Sequence, residues 1–220
     1  MADSPTEAKH ATGSLVTDQK HATGSLVTDH PELGPLLSDK PQRAKLLDAM
    51  VRVVAEKGYE TATVADAVRL ARVSRGTFYE LFESKEACLA AAYRLGVDVL
   101  AARVREAVRD ARDWREELRL GLGAYLRTFD EEPIFARVYL LEWKPIPAER
   151  DASIRRFARR YGASFARGGA ELPEEALFVL AAGIHELVCA HVRAGGRAID
   201  LEDVLVGCAV RLAAKEEPWI

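Results

Sequence analysis

Residues 58–89 read GYETATVADAVRLARVSRGTFYELFESKEACL, and three hydroxyl residues divide them into short helices. Thr63, Ser74 and Ser84 each stand before a run of helical apolar spacing, the place where a side-chain oxygen accepts an orphan N–H of a first turn. Asp66 follows Thr63 at the capping-box interval, and its carboxylate suits the positive end of a helix dipole. Gly58 can take the left-handed conformation that stops the preceding helix, with Tyr59 folding back as its apolar contact. The spacing therefore predicts a short helix over about Val64–Ala71, a turn at Arg72 and Val73, a second helix over Ser74–Phe82, and a longer helix after Ser84. Phe78, Leu81 and Phe82 lie three and four residues apart, so they share the inner face of the second helix.

Two short capped helices joined by a tight turn describe a helix-turn-helix unit, whose second helix enters the major groove of DNA. With Phe78, Leu81 and Phe82 inside, helical geometry turns Gly76, Tyr79 and Glu80 outward and leaves Arg75 and Thr77 on the flanks. Arg75 is the candidate base reader, because a guanidinium donates two hydrogen bonds to guanine O6 and N7. Gly76 removes bulk where the backbone can approach the duplex, and the Tyr79 hydroxyl can reach the DNA backbone. Lys85 opens a helix where a cation opposes the dipole, and a neighbouring phosphate would reverse that sign. The bland alternatives are a solvated lysine and a boundary tyrosine.

In its set and order of residues, this stretch resembles the DNA-binding region of the TetR family of bacterial regulators. The residues in register with that family are Gly58-Tyr59, Thr63, Val73-Ser74, Gly76-Thr77-Phe78-Tyr79, Phe82 and Lys85-Glu86, and the resemblance covers roughly residues 43–93. It implies a DNA-contacting set of Thr63, Arg72, Ser74, Arg75, Gly76, Thr77, Tyr79 and Lys85. It also implies a C-terminal domain that binds a small effector and forms a homodimer, the ligand shifting the separation of two reading heads. Two positions depart from the family pattern. The usual Ile-Ala of the first short helix is exchanged as Ala67-Val68, a swap of similar total volume. The usual Gly of the turn is Arg72, which at a positive φ costs on the order of 1 kcal/mol; either the turn differs or Arg72 gains from a phosphate.

Outward from this unit the helical pattern continues almost without a break from Pro41, so the expected fold is all-α: a three-helix DNA-binding domain over residues 41–92 and a helical effector and dimerisation domain over 93–220. Helices are predicted over about Pro41–Lys57, Lys85–Asp110, Trp114–Phe129, Pro133–Trp143, Ala148–Ala166, Pro173–Ala194 and Leu201–Ala213, with Pro and Gly between them. The last two spread their apolar residues beyond one stripe, and a partner subunit is the economical cover. Residues 1–40 hold a tandem KHATGSLVTD repeat at Lys9–Asp18 and Lys20–Asp29. Two copies of so short a unit cannot stack into a solenoid, so this segment reads as a disordered or tag-like arm.

The 220-residue chain is 49% hydrophobic and carries a net charge of -3, which argues against indiscriminate coating of nucleic acid. Residues 41–95 nevertheless hold nine Lys or Arg against seven acids, the only block with a positive balance. No run of about 18 apolar residues appears, so no membrane partner and a cytoplasmic location are expected. Cys88, Cys189 and Cys208 are scattered in apolar patterns and read as buried thiols, not as a disulfide or metal framework. His10, His21 and His30 lack metal-ligand spacing. His185 and Cys189 lie one turn apart, but His191 points elsewhere, so a core or interface histidine is the simpler reading. No catalytic motif, metal or cofactor is expected. Among the large aromatics, Tyr125, Phe129, Tyr139, Trp143 and Phe165, with His185, are the candidates for an apolar effector pocket, though each is more often plain core.

Overall fold

The computed structural model describes residues 41–214, and the repeat-bearing arm lies outside the described residues. The described chain is helical throughout: α1 Pro41–Lys57, α2 Val64–Ala71, α3 Arg75–Leu81, α4 Lys85–Ala107, α5 Trp114–Glu131, α6 Pro133–Ala136, α7 Pro147–Arg167, α8 Glu174–Arg193 and α9 Glu202–Ala213. A π-helical turn, Arg137–Leu141, continues α6, and a 3-10 turn, Ala198–Leu201, leads into α9. The predicted single helix over Pro133–Trp143 is thus a short α-helix that widens. The widened turn carries the buried side chains Val138, Tyr139 and Leu140.

The amino-terminal head forms as its capping residues dictate. Gly58 ends α1 at φ 78°, and its N–H donates to the Val54 carbonyl at 2.8 Å. The Thr63 hydroxyl accepts the Asp66 N–H at 3.1 Å, and the Asp66 carboxylate accepts the Thr63 N–H at 3.3 Å, closing the expected capping box. Lys57, at the end of α1, reaches the same carboxylate at 3.0 Å. These hydrogen bonds to Thr63 and Lys57 hold the Asp66 carboxyl down at about 2. Phe78 is fully buried and Phe82 nearly so, in one core that also holds Leu46, Leu47, Met50 and Ala67.

The head and body share one apolar core, and α4 runs through residues 92 and 93 without interruption. Gly96 sits where α4 meets α6; a Cβ there would stand 2.5 Å from the Phe135 ring, so only glycine permits that approach. Asp113 caps α5 by accepting from Arg115 and Glu116. The α8 helix buries Leu177, Ala181, Ile184, His185, Val188 and Cys189 against the body, while Val179 and Leu187 on its far side are exposed. By length and composition α8 is apolar enough to cross a membrane. Its inner face is instead occupied by α7 and the π-helical turn. On α9, Val204 is 52% exposed beside an exposed Cys208. Cys208 therefore departs from the expected buried thiol, because its turn of α9 faces away from the body.

Candidate nucleic-acid interface and the aromatic body beneath it

The second helix of the head presents its polar side as the sequence spacing requires. Ser74 caps α3, accepting the Thr77 N–H at 2.9 Å, and the two hydroxyls lie 2.8 Å apart. Arg75, Gly76, Tyr79 and Glu80 are exposed, and the Arg75 guanidinium lies 5.6 Å from the Tyr79 ring centroid. Arg75 and Tyr79 thus form an outward pair anchored on a helix whose other side is fixed by Phe78. A Cβ at Gly76 would meet nothing closer than the Ser74 hydroxyl at 3.5 Å. Packing within the chain does not demand glycine there, although glycine costs a helix about 1 kcal/mol relative to alanine.

Arg72 resolves one of the two possibilities left by the sequence. It occupies the left-handed region at φ 54°, ψ 46°, and it is the only non-glycine residue with positive φ among the described residues. The turn keeps its shape with a side chain the conformation disfavours. That residue is exposed, as are Ser74 and Arg75.

Lys85 has a role that sequence reasoning missed. Its ammonium donates to the Tyr59 carbonyl at 2.8 Å and the Ala62 carbonyl at 2.9 Å, and it lies 3.9 Å from the Tyr59 ring centroid. The first residue of α4 thereby ties the loop before α2 to the reading unit. Its cost at the positive end of the helix is offset by two carbonyls and a ring face. Glu142, also unforeseen, follows the π-helical turn and accepts the Tyr59 N–H at 3.0 Å. No local pattern signals either contact, since each depends on segments distant in sequence.

Of the candidate pocket residues, four come together. Tyr139 packs with Phe129 at 5.4 Å and with His185 at 5.4 Å between ring centroids, and Tyr125 meets Phe129 at 4.9 Å. The Tyr125 hydroxyl lies 3.4 Å from His185 Nδ1, a long hydrogen bond, and the Tyr139 hydroxyl is 2.6 Å from Ser153. The other two lie elsewhere: Trp143 stacks under Arg150 at 4.3 Å, and Phe165 packs on Trp114 at 6.0 Å. The void beside Tyr125, Tyr139 and His185 is only about 10 Å³, room for about one water and no larger ligand. Burial, reinforced by the Arg150 charge, pushes the His185 imidazole down to about 4. Burial also raises the Cys189 thiol to about 12, which removes the thiolate a nucleophile needs. Glu186 pairs with Arg150. Among the described residues no group of three or more His, Cys, Asp or Glu could hold a metal ion.

Comparison with known proteins agrees with this arrangement. Residues 46–92 match the family model described as bacterial regulatory proteins, tetR family. The chain is 25% identical over 122 residues to the fatty acid metabolism regulator protein of Bacillus subtilis (strain 168), covering 56% of this chain and 63% of that one. It is 30% identical over 114 residues to the HTH-type transcriptional activator FasR of Mycolicibacterium smegmatis, covering 50% of this chain and 52% of that one. The match therefore spans less than two thirds of either relative. In fold, the chain is similar to the fatty acid degradation regulator FadR from Bacillus halodurans, with TM-score 0.68 at 20% identity over 77% of this chain and 94% of that one. It is also similar to FadR from Bacillus subtilis in complex with stearoyl-CoA, with TM-score 0.67 at 19% identity over 76% of this chain and 96% of that one. Residues 46–92 are thus a helix-turn-helix head of the tetR family of bacterial regulatory proteins, set on an all-helical body whose fold is similar to that of these regulators.

Proposed function

We propose that the protein is a cytoplasmic, ligand-responsive transcriptional regulator, acting as a repressor, that binds a pseudo-palindromic operator as a homodimer and catalyses no reaction. The observation that carries this reading is the outward row of α3: Arg75 and Tyr79 exposed side by side, next to a glycine that packing does not require. In this reading Arg75 reads a base edge, Tyr79, Thr63, Ser74 and Thr77 position on phosphate or sugar, and Arg72 and Lys85 add positive charge at the backbone. Lys85 does so while keeping its two carbonyl bonds.

The head of residues 41–92 works on a body that supplies dimerisation and ligand response. The exposed Val179 and Leu187 of α8 and Val204 of α9 form the face offered to a second copy. Two-fold symmetry of the protein then calls for two-fold symmetry of the site. A ligand acts only through different affinities for the DNA-competent and incompetent arrangements. The names of the relatives make fatty-acyl compounds the first effector class to screen, and one relative, an activator by name, makes activation the second reading. An acyl chain would need the cluster of Tyr125, Phe129, Tyr139 and His185 to open, since it is closed in this conformation. Selection of bound duplexes from a random pool tests the reading: enrichment of an inverted repeat is expected, and no enrichment at any salt concentration contradicts it.

A further inference from the structure

An opening on the body lies beside the aromatic cluster, at Tyr93, which stacks on Tyr139 at 4.9 Å. It is a cleft of about 300 Å³ between α4 and α7, lined by Tyr93, Val97, Ala148, Ala152 and Ser153, with Arg94, Asp98, Glu149 and Arg156 at its rim. The lining residues recur one turn apart on each helix, so two stripes face each other across the gap. Two ion pairs bridge the stripes: Arg94 to Glu149 at 2.8 Å and Arg156 to Asp98 at 2.6 Å. At the floor, Tyr93 is 2% exposed, and its hydroxyl sits beside those of Tyr139 and Ser153 without a well-formed hydrogen bond to either. A buried hydroxyl whose hydrogen bonds are poorly formed gains from a better acceptor.

We infer that this cleft is a binding site for a compact amphipathic carboxylate, whose acid group takes the Tyr93 hydroxyl and a rim guanidinium and whose apolar body lies against Val97, Ala148 and Ala152. The volume is at the small end of ligand pockets. The chemistry follows from what the cleft already holds. Each rim arginine is bound by a carboxylate of the chain itself, so an external carboxylate meets a guanidinium geometry that suits it. The two bridges are exposed enough to exchange partners at little cost. Exchange also releases α7 from α4, the helix whose first turn holds the head through Lys85. The site thus sits where occupancy alters the seating of the reading head.

This inference rests on the ligand-responsive reading above, and its test contains no DNA, so the two fail separately. Phenylbutyrate and its alcohol are titrated into the full chain by calorimetry. Saturable binding of the acid is expected, with the alcohol, Tyr93→Phe and Arg156→Gln each weaker by about tenfold or more, as loss of a charge-assisted hydrogen bond implies. Ala152→Trp, at an exposed position on α7, fills the cleft and abolishes binding with helicity unchanged; it carries the test should Tyr93→Phe not fold. Absence of saturable binding to wild type, equal binding of acid and alcohol, or undiminished binding by Tyr93→Phe or Ala152→Trp overturns the inference.

Discussion

The Glu142 carboxylate accepts the backbone N–H of Tyr59 at 3.0 Å, joining residues 83 positions apart. Glu142 ends the π-helical turn that carries Tyr139 into the aromatic cluster, while Tyr59 opens the loop before α2 and gives its carbonyl to Lys85. A displacement of Tyr139 in the body therefore has a short covalent and hydrogen-bonded route to the reading head. Glu142→Ala should lower stability by about 1–3 kcal/mol, because it leaves a half-buried N–H unpaired. Glu142→Gln keeps a carbonyl acceptor and should lose less. Urea denaturation of the two variants checks the ordering, and equal midpoints for both and wild type would refute the contact's importance.

Arg72→Gly should move stability and DNA affinity in opposite directions. Glycine removes the left-handed strain and should stabilise the free protein by about 1 kcal/mol. Under the proposed DNA-binding role, losing this cation should weaken binding to all duplexes alike and reduce the salt slope by about 1. Thermal unfolding and salt-dependent binding of the same variant measure both. A more stable variant with unaltered DNA affinity would remove Arg72 from the interface.

Burial of His185 predicts acid sensitivity in a defined window. Its imidazole falls from an ordinary 6.5 to about 4 in the folded protein. Between these values the unfolded chain binds a proton that the folded one refuses, so stability present above pH 6.5 is lost as pH falls toward 4. The loss is on the order of 2–3 kcal/mol at the lower limit. Asp66, held at about 2, acts in a separate window: its stabilisation is present above pH 3.8 and lost on further acidification. His185→Gln should flatten the stability profile between pH 6.5 and 4, and a profile identical to wild type would contradict the assignment.

The head was legible from its sequence because local chemistry decides it. Thr63, Ser74 and Gly58 cap neighbouring residues, and Phe78 and Phe82 meet through helical spacing, all within a few positions. The polar side of α3 follows from the same spacing. The π-helical turn was not legible, since Pro133 to Trp143 satisfies the ordinary helical period and no local residue marks the wider turn. Nor were Lys85 and Glu142, whose partners belong to other segments. Trp143 and Phe165 show the limit of grouping aromatics by composition: a guanidinium claims one and Trp114 the other. Cys208 sits in an apolar pattern, yet its turn points outward, so the pattern there marks an uncovered face.

That uncovered face should behave as a dimer interface. Leu187 is 43% exposed on α8, beside exposed Ala190 and Gly183. Placing a charge there desolvates it on association, and Leu187→Asp should shift sedimentation from dimer to monomer with little change in helicity. Wild type sedimenting as a monomer at micromolar concentration would count against the assignment.

The central claim is that α3 reads DNA through Arg75. The measurement that reaches it most directly is selection of bound duplexes from a random pool by wild type and Arg75→Ala side by side. The account predicts an inverted repeat for wild type and, for the variant, the same repeat with one position per half-site relaxed, a loss of about 1–3 kcal/mol in discrimination there. An unaltered consensus in the variant would contradict the assignment of Arg75, and no enrichment by wild type would contradict the function itself.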